Sequence, residues 1–313
     1  MGRILVTRQL PDGGLDPLFE AGHEIVQRDD DTPFTPAELT AALANVDAVV
    51  CVLTDMLDAS TIAAASHLRV IANVAVGYNN IDVDAARAAG VTVCNTPGVL
   101  DETTADLVFL LILSASRLAH DAESDLRTDR WPGWAMNQYL GHDVHGATLG
   151  LVGLGRIGQA VARRATGFGM NAIHHTRTDT GLTGWTAELH RLLREADIVS
   201  VHVPLTPETT HLIGPAEFAV MKSSTVFVNT SRGPVVDEPA LARALTDGAI
   251  FAAGIDVFEH EPVVHPALLA APRAVLLPHI GSATVTTRTR MTLLAAQGAT
   301  DVLAGRVPHN AVT

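Results

Sequence analysis

The sequence predicts an α/β fold that contains two parallel β-sheets. Short runs of β-branched residues alternate with helical patterns along almost all of the 313 residues, and this alternation is typical of parallel sheets. The runs fall into two successive series, which a Pro-Gly pair and one long helical stretch separate. With about 150 residues for an average domain, the length also corresponds to two domains. We therefore expect two doubly wound domains, each with helices on both faces of its sheet.

The first series predicts five strands. They are expected at residues 3–7, 24–26, 47–53, 70–72 and 91–94. Residues 36–44, between the second and third strands, have a helical pattern. Thr35 is expected to cap this helix and Pro36 to occupy its first position, because each residue type favours that place. The pair Pro97-Gly98 then ends the series.

One long helix and a second series of strands follow. The helix is expected from Leu100 to about Arg127. Six strands are expected at residues 148–152, 171–175, 198–203, 225–230, 252–257 and 274–278. Six strands with helices between them make up a complete dinucleotide-binding fold of two halves. A last helical pattern, at about residues 283–305, precedes no further strand.

Charge, hydropathy and cysteine content exclude several classes of protein. The chain has 21 Lys and Arg against 34 Asp and Glu, a net charge of −13, which argues against binding to nucleic acid or to an anionic membrane. Its longest apolar run, residues 107–113, is far shorter than the ~20 residues that span a bilayer. No secretory signal is visible, so we expect a cytoplasmic protein. Cys51 and Cys94 lie in apolar runs and are expected to be buried, which leaves no disulfide framework and no metal site.

The strongest local motif is a glycine-rich turn. The strand at 148–152 runs directly into GLGRIG at residues 153–158, where a helical pattern begins. In this context Gly153 permits the tight turn, Gly155 allows backbone to approach a pyrophosphate, and Gly158 allows the helix to pack on the strand. The N–H groups and the positive dipole at the start of the helix favour an anion. The turn therefore predicts a dinucleotide site.

The end of the next strand indicates which dinucleotide binds. Sites for NAD place an acidic residue there, which holds the ribose 2′-hydroxyl. Here the strand is followed by Thr176, Arg177 and Thr178, whose hydroxyls and guanidinium suit a 2′-phosphate. Asp179 lies close to the usual spacing of ~20 residues from the last glycine, but we expect it in the loop beyond the strand. The sequence therefore predicts a preference for NADP(H), with NAD(H) as the alternative.

Polar side chains follow three other strands of the second series. Arg232 follows the fourth strand and His279 follows the sixth. Two acidic residues, Glu259 and Glu261, follow the fifth. Ligands bind outside the carboxyl ends of strands in a doubly wound sheet, where the glycine-rich turn also lies. Each residue alone could be an ordinary loop residue, but their convergence beside that turn indicates a site.

These residue types suit the reduction of a 2-oxo acid. The guanidinium of Arg232 matches a carboxylate with two parallel hydrogen bonds. Imidazole titrates near neutral pH, so His279 can protonate the alkoxide that forms. A carboxylate within hydrogen-bond reach orients such a ring and favours its protonated form. Glu261 is the candidate for that carboxylate, and Glu259 is the alternative that the spacing leaves open.

The chain resembles the D-isomer-specific 2-hydroxyacid dehydrogenase family over essentially its whole length, and within it the glyoxylate and hydroxypyruvate reductase branch. The resemblance lies in NVAVGYNNID at 73–82, NTPG at 95–98, GLGRIG at 153–158, HVPLT at 202–206, NTSRG at 229–233, GIDVF at 254–258 with EP at 261–262, and PHIGSA at 278–283. It implies catalysis by Arg232, Glu261 and His279, and so favours Glu261 over Glu259. It also implies a Rossmann domain inserted into a flavodoxin-like substrate domain.

The resemblance implies further contacts with substrate and cofactor. Leu53, Val76 and Gly77 would bind the substrate together with Arg232 and His279, and Thr54 would line the same pocket. The backbone N–H groups of Val76 and Gly77 would receive the carboxylate. The cofactor would contact Thr104, Gly153, Gly155, Arg156, Ile157, Gly158, Thr176, Arg177, Thr178, Val203, Pro204, Thr209, Thr230, Ser231, Asp256 and Gly281. Among these, Asp256 would lie near the nicotinamide amide.

The same resemblance implies how two domains share one chain. Residues 1–98 with 284–313 would form the substrate domain, and residues 99–283 would form the NAD(P)-binding domain. The cleft between them would close on the substrate. The helix from Leu100 and the segment 131–143 resemble a dimer-forming arm, so a homodimer is expected.

The function predicted from these residues is the reduction of small 2-oxo acids, glyoxylate and hydroxypyruvate, to 2-hydroxy acids with NADPH. An NAD-dependent 3-phosphoglycerate dehydrogenase, or another D-2-hydroxyacid dehydrogenase, is the alternative among enzymes. A dinucleotide-sensing scaffold, similar to the corepressors related to this family, is the alternative outside them. Turnover beyond one equivalent of cofactor would separate an enzyme from a scaffold.

Overall fold

The computed structural model of the protein describes residues 1–312. The chain forms two compact units. The first contains Met1–Leu100 together with the chain from Ser282 onwards, and the second contains Asp101–Gly281. The second unit is therefore an insertion within the sequence of the first.

Both units are built from strands and helices in alternation. In chain order the strands are β1 (Arg3–Val6), β2 (Glu24–Gln27), β3 (Ala48–Cys51), β4 (Val70–Asn73), β5 (Thr92–Cys94), β6 (Thr148–Val152), β7 (Asn171–His175), β8 (Trp185–Thr186), β9 (Ile198–Val201), β10 (Val226–Asn229), β11 (Ala252–Ile255) and β12 (Ala274–Leu276). The helices are α1 (Asp16–Glu20), α2 (Pro36–Leu43), α3 (Ala59–Ala64), α4 (Val83–Ala88), α5 (Asp101–Ser116), α6 (Ala119–Arg127), α7 (Arg156–Gly167), α8 (Leu189–Glu195), α9 (Pro215–Val220), α10 (Glu238–Thr246), α11 (Pro266–Leu269) and α12 (Val285–Leu303). A short 3-10 helix covers Gly233–Val235.

The first unit has a five-stranded sheet of order β2-β1-β3-β4-β5. Every pair of neighbouring strands in it is parallel, and this is the flavodoxin-like doubly wound order. The C-terminal α12 packs on one face of the sheet, where Ala295, Ala296 and Ala299 join Ile4 and Val6 in one apolar cluster. Small side chains on α12 allow this close approach. The helix α12, late in the chain, therefore covers one face of the sheet to which the first strand, β1, belongs.

The second unit has a seven-stranded sheet of order β12-β11-β10-β9-β6-β7-β8. Every neighbouring pair is parallel. Read from β8, the order is that of the Rossmann fold with one further strand at the far edge. The sequence predicted six strands, and the additional one, β8, contains only two residues that pair with the end of β7. The predicted α/β fold with two parallel, doubly wound sheets is confirmed.

Aliphatic side chains fill the core, as the low aromatic share of 4% requires. Phe227 is the largest fully buried side chain, and the others of that group are leucines and isoleucines. Cys51 and Cys94 are buried and unpaired in disulfides, as predicted. Burial raises the pKa of Cys94 to about 12 and raises the pKa of Cys51 well above its usual value. Both side chains therefore remain protonated thiols at neutral pH.

The single long helix predicted from Leu100 to about Arg127 is wrong. The stretch forms two helices, α5 and α6, which are bent by 68°. Leu118, at the break, has a left-handed φ of 53°. The carbonyl of Ser116 accepts the N–H of His142 at 2.9 Å instead of continuing the helix, and a Cβ on Gly141 would collide with that carbonyl. A later segment of the chain therefore ends α5, and no residue within the predicted helix signals the break.

The predicted start of α2 is confirmed. The Oγ1 atom of Thr35 accepts the N–H of Glu38 at 3.3 Å, and Glu38 Oε2 accepts the N–H of Thr35 at 2.8 Å. This reciprocal capping satisfies two N–H groups that the first helical turn leaves unpaired.

Within residues 1–312, none of the helices taken singly has both the length and the apolar composition to cross a membrane. The bent pair α5 and α6, taken together, meets that criterion by length and composition.

Candidate active site

The carboxyl ends of the strands in the second unit form one edge of its sheet, because all of these strands are parallel. The glycine-rich turn follows β6 at this edge. Arg232 lies after β10 and His279 lies after β12. The topology alone therefore places an arginine, an imidazole and a helix N-terminus on the same side of one sheet.

The glycine-rich turn has the backbone that its motif requires. Gly153 has a φ of 97°, and a Cβ there would lie 2.8 Å from the carbonyl of His202. A Cβ on Gly158 would lie 2.6 Å from the carbonyl oxygen of Gly153, so only glycine allows α7 to start this close to β6. Gly155 is the N-cap of α7, and a Cβ on it would meet open space. No side chain caps α7, which has 12 residues. Its first N–H groups therefore remain available to an anion.

The loop after β7 contains the residues predicted to select the cofactor. The hydroxyl of Thr176 donates to the carbonyl of Thr178 at 2.7 Å and accepts the indole N–H of Trp185 at 3.1 Å. Arg177 is exposed. The carboxylate of Asp179 accepts the N–H of Gly181 at 2.8 Å, within its own turn. Thr176 and Asp179 therefore stabilise the conformation of the loop, and the guanidinium of Arg177 lies at the protein surface.

The segment after β9 is held by its own hydrogen bonds. The hydroxyl of Thr209 donates to the carbonyl of Pro204 at 2.7 Å and accepts the N–H of Thr206 at 2.8 Å. His202 precedes this segment in the chain, and its Nε2 is 2.9 Å from the hydroxyl of Ser200. Burial lowers the pKa of His202 to about 4, so this ring is neutral at pH 7.

His279 and Glu261 form a close pair. The Nδ1 atom of His279 lies 2.8 Å from Oε2 of Glu261, and Oε1 of Glu261 accepts the N–H of Phe258 at 3.0 Å. Because a carboxylate only accepts, Nδ1 is the donor, and Nε2 has no hydrogen-bond partner among residues 1–312. His279 has a φ of 53°, a conformation that is uncommon for a residue with a side chain. Nε2 is therefore the ring atom available to a ligand.

The charge of Glu261 is stabilised by its neighbours. Burial opposes its ionisation, but the hydrogen bond and charge of His279, the N–H of Phe258 and the charge of Arg232 outweigh burial and hold the pKa of Glu261 below its usual value. Burial lowers the pKa of Arg232, and the charge of Glu261 opposes this. Glu261 is thus ionised at neutral pH, and both the hydrogen bond to His279 and the charge of Arg232 favour the carboxylate.

A buried asparagine shapes the turn that carries Arg232. Asn229 ends β10 and is 1% exposed. Its Oδ1 accepts the N–H of Ser231 at 3.0 Å and the hydroxyl of Ser231 at 2.8 Å, while its Nδ2 donates to the carbonyl of Arg232 at 3.0 Å. Asn229 was not among the predicted site residues, although Asn commonly shapes a turn by accepting the backbone N–H two residues later. The Oγ1 atom of Thr230 is buried and finds no partner in the described chain.

Asp256 ties the loop of His279 to the end of β11. Its Oδ1 accepts the N–H of Ile280 at 2.7 Å, and its Oδ2 accepts the N–H of Gly281 at 2.8 Å. Burial raises the pKa of Asp256 to about 6, even though both N–H groups and the charge of His279 lower it. The carbonyl of Gly281 in turn lies 3.4 Å from the hydroxyl of Thr104 on α5. The loop that carries His279 is therefore fixed from two directions.

The structure separates the two acids that the spacing left open. Glu259 contacts His211 through Oε2 at 2.9 Å and accepts the N–H of Glu238 at 2.8 Å through Oε1. Glu261, in contrast, contacts His279. The contact to His279 therefore favours Glu261 for the role that the resemblance implies.

The residues implied to bind substrate in the first unit lie at the carboxyl ends of its central strands. Leu53 follows β3, and Val76 and Gly77 follow β4. Leu53 is 36% exposed. The N–H groups of Val76 and Gly77 donate to no residue that the structure describes. Their assignment to the substrate stays a prediction.

No group of three or more His, Cys, Asp and Glu side chains in residues 1–312 could hold a metal ion.

Comparisons with known proteins decide the family. Residues 109–281 match the model of the D-isomer-specific 2-hydroxyacid dehydrogenase NAD-binding domain. A glyoxylate reductase of Korarchaeum cryptofilum is 44% identical over 317 residues, covering 99% of this chain and 95% of that protein. The chain belongs to the D-isomer-specific 2-hydroxyacid dehydrogenase family.

Solved structures of D-2-hydroxyacid dehydrogenases extend this similarity. A glyoxylate reductase from Paecilomyes thermophila has a TM-score of 0.86 and 34% identity, covering 99% of this chain and 98% of that one. An NADPH-dependent glyoxylate/hydroxypyruvate reductase from Sinorhizobium meliloti, solved with NADP and malonate, has a TM-score of 0.88 and 35% identity, covering 99% and 96%. As a D-2-hydroxyacid dehydrogenase, the protein is an oxidoreductase that uses a nicotinamide dinucleotide.

The glycine-rich turn of this D-2-hydroxyacid dehydrogenase fits that cofactor. A Cβ on Gly155 would meet open space, and the first N–H groups of α7 lie beside it, so the backbone leaves room for an anion there. The buried, unpartnered hydroxyl of Thr230 lies after β10, at the same edge of the sheet. A buried hydroxyl without a partner in the protein leaves a hydrogen bond that a ligand at this edge can supply.

Proposed function

We propose that this protein reduces small 2-oxo acids, glyoxylate first and hydroxypyruvate with it, to 2-hydroxy acids by hydride transfer from NADPH. The observation that carries the proposal is the pair of His279 and Glu261, 2.8 Å apart, with the charge of Arg232 acting on the same carboxylate. A cation for a carboxylate and an oriented proton donor are the two groups that this reduction needs from a protein. The relatives named glyoxylate reductase, which align with 99% of the chain, support the choice of substrate.

The dinucleotide, when bound, supplies the hydride. The glycine-rich turn and the N-terminus of α7 would hold its pyrophosphate. The proposed contacts are Thr104, Gly153, Gly155, Arg156, Ile157, Gly158, Thr176, Arg177, Thr178, Val203, Pro204, Thr209, Thr230, Ser231, Asp256 and Gly281.

The loop after β7 supports NADPH over NADH. Asp179, the acid nearest the usual spacing, has its carboxylate turned to the N–H of Gly181. The guanidinium of Arg177 is exposed beside Thr178. The hydroxyl proton of Thr176 is already used by the carbonyl of Thr178. We therefore assign the 2′-phosphate chiefly to Arg177 and Thr178, with Thr176 shaping the loop that presents them.

Replacing Arg177 by alanine is expected to lower kcat/KM for NADPH by about 10- to 100-fold, because a charge-assisted hydrogen bond to the 2′-phosphate is lost. The value for NADH should stay unchanged, since NADH lacks that phosphate. Arg194→Ala removes another exposed arginine, on α8, and is the matched control. Equal losses with the two cofactors would contradict the assignment.

The proposed mechanism uses three side chains. The guanidinium of Arg232 binds the substrate carboxylate and polarises the keto group. The keto carbon receives the hydride, and Nε2 of His279 donates a proton to the keto oxygen. Glu261 accepts the hydrogen bond from Nδ1, so it holds the ring in place and balances the charge of the imidazolium.

Replacing Glu261 by glutamine is expected to lower kcat for glyoxylate reduction by about tenfold or more. Glutamine keeps the size of the side chain, but it carries no negative charge to orient the ring of His279 and to balance the imidazolium. Glu259→Gln, which alters the contact with His211 instead, should leave kcat unchanged. Wild-type kcat in the Glu261 variant would contradict the proposed role.

The same variant has a signature in stability. The pKa of Glu261 is lowered in the folded state, so its ionised form stabilises the fold at pH values above the unfolded pKa, and this contribution is lost as the pH falls through the folded pKa. The Tm difference between the wild type and Glu261→Gln should therefore be largest near neutral pH and should shrink in acid.

The substrate contacts of the first unit and the homodimer also remain part of the proposal. Leu53, Val76 and Gly77 are proposed to bind substrate. Support for a homodimer comes from several exposed apolar side chains on α6 and in the segment that follows it, because exposed apolar surface is typical of an interface. These side chains are Leu126, Trp131, Trp134, Met136 and Leu140.

A steady-state panel tests the proposed function. Glyoxylate, hydroxypyruvate and 3-phosphohydroxypyruvate are compared with NADPH and with NADH. We expect the highest kcat/KM values for glyoxylate and hydroxypyruvate with NADPH. A preference for the phosphorylated acid would instead select the 3-phosphoglycerate dehydrogenase alternative, and no turnover with any pair would refute the proposal.

A further inference from the structure

Three consecutive peptide groups after β4 accept hydrogen bonds at their carbonyls but donate none from their N–H groups within the described chain. The carbonyl of Ala75 accepts the N–H of Thr96 at 2.9 Å. The next two carbonyls accept side-chain amides: Val76 from Asn95 Nδ2 at 2.8 Å, and Gly77 from Asn73 Nδ2 at 3.0 Å. In a trans peptide the C=O of one residue and the N–H of the next point in opposite directions.

Fixing these carbonyls therefore fixes the N–H groups opposite them. They belong to Val76, Gly77 and Tyr78, and none of the three donates to another residue of the described chain. Successive backbone N–H groups without a partner in the protein can form a site that favours an anion. The loop after β4 thus presents three N–H donors without a partner in the described chain, and the direction of each is set by the hydrogen bond to the carbonyl of the same peptide.

Asn73 has its side chain completely enclosed at the end of β4, with 0% exposure. Its Nδ2 donates to the carbonyl of Gly77 and lies 3.4 Å from Oδ1 of Asn80. Its Oδ1 accepts the thiol of Cys51 at 3.7 Å, a thiol whose pKa burial raises. Because both acceptors face the nitrogen and the only donor faces the oxygen, one orientation of the amide satisfies every contact.

The same network reaches the loop after β3. Asn80 is 3% exposed, and its Nδ2 donates to the carbonyls of Val52 at 3.3 Å and Asp55 at 3.0 Å. Asp55 is itself buried in an ion pair with Arg8 at 3.0 Å. Leu53 lies within the segment that these bonds fix. Asn73 and Asn80 therefore join the two loops of the first unit that are proposed to bind substrate.

We propose that Asn73 is a positioning residue for substrate binding: its buried amide aims the N–H groups of the loop after β4 at the substrate carboxylate and, through Asn80, fixes the loop that carries Leu53. This inference rests on the proposed function, because it takes the anion to be the carboxylate of a 2-oxo acid. Asn73 has no exposed surface and cannot touch the substrate. Any effect of its replacement on substrate binding must therefore pass through these loops.

The test replaces Asn73 by aspartate, which has nearly the same shape but cannot donate from its side chain when ionised. The KM for glyoxylate and the inhibition constant of oxalate, a dicarboxylate without a reducible carbonyl, should each rise about tenfold or more. The dissociation constant of NADPH should not change, and kcat should fall less than KM rises, as expected when ground-state binding is lost. Asn73→Ser, which keeps one donor, should give a smaller rise.

Thr292→Val is the matched control. Thr292 is also 0% exposed and lies in the first unit, but its hydroxyl donates to the carbonyl of Arg288 within α12. This variant should lose stability without a rise in KM. An unchanged KM and oxalate constant in a folded Asn73 variant, or an equal rise in the Thr292 variant, would overturn the inference.

Failure of the proposed function and failure of the inference on Asn73 give different experimental results. Absence of glyoxylate turnover by the wild type would refute the proposed function. The inference on Asn73 is then decided by oxalate binding alone, measured by calorimetry on the wild type and on both Asn73 variants with NADPH bound. Equal oxalate affinity in all three proteins, or no oxalate binding to the wild type, would overturn it. If Asn73→Asp does not fold, Asn73→Ser is judged by the same two measurements.

Discussion

Replacing His279 by glutamine is expected to lower kcat for glyoxylate reduction by roughly a hundred- to ten-thousand-fold, which is the usual range for losing a general acid. Glutamine can still accept or donate a hydrogen bond near Glu261, but it cannot transfer a proton to the keto oxygen. The affinity for NADPH, measured by fluorescence titration, should change little, because Nε2 is the atom left for the substrate. The loss should therefore appear in the chemical step.

The chain provides a closely matched control for this substitution. His211 contacts Glu259 at 2.9 Å, nearly the same distance as that between His279 and Glu261, and it also has a positive φ, of 51°. His211→Gln should keep kcat within about twofold of the wild type, since surface substitutions away from a site have small effects. Wild-type turnover by the His279 variant would remove the proposed mechanism. A similar loss in both variants would show that the effect is structural.

Replacing Arg232 by alanine is expected to lower kcat/KM for glyoxylate by about a thousandfold. The reason is that truncating one partner of a buried charge pair, here the proposed pair of Arg232 and the substrate carboxylate, costs about 2–5 kcal/mol. The substrate carboxylate loses its bidentate partner and Glu261 loses a neighbouring cation. Arg232→Lys keeps the charge but not the planar fork, so it should recover only part of the activity. The measurement is steady-state kinetics with both glyoxylate and hydroxypyruvate.

Chemical rescue separates catalysis from folding at Arg232. Free guanidinium ion, added at a concentration that does not unfold the protein, should restore part of the activity of Arg232→Ala, because it can occupy the space of the missing group. Arg243→Ala, an exposed arginine on α10, should need no rescue. A loss that guanidinium does not reverse, together with weakened NADPH binding, would point to a structural role for Arg232 instead.

The sequence was sufficient for the features that depend on local pattern and topology. Alternating strand and helix patterns predict two parallel sheets. In a parallel sheet, the residues that follow β6, β10 and β12 all lie at one edge. The glycine-rich turn was predictable because its motif is contiguous and stands between a strand pattern and a helical pattern. Gly158, for example, lies against the carbonyl of Gly153 in the same motif.

The features that the sequence missed depend on contacts between distant segments. The break between α5 and α6 comes from His142, which bonds to the carbonyl of Ser116. The two-residue β8 is too short for any periodicity, yet its Trp185 anchors Thr176. Spacing could not choose between Glu259 and Glu261, since both follow β11 within a few residues, and only their side-chain directions differ. Long-range hydrogen bonds of this kind leave no pattern in a single sequence.

Asn73 illustrates the same limit. It is the last residue of β4, one residue beyond the strand predicted at 70–72, and its importance depends on the direction of a carbonyl four residues later. A buried asparagine in an apolar strand is the one signal that could have indicated it, because a polar group without exposure needs partners for all of its hydrogen bonds.

The central claim is that this chain is a reductase of 2-oxo acids, and product stoichiometry under multiple turnover tests it most directly. Wild-type protein is incubated with a large excess of NADPH and glyoxylate, and NADPH and glycolate are both quantified. The account predicts one glycolate for each NADPH consumed, continuing far beyond one equivalent per protein chain. Consumption that stops at or below one equivalent, with NADPH and with NADH, would contradict it and favour a dinucleotide-sensing scaffold.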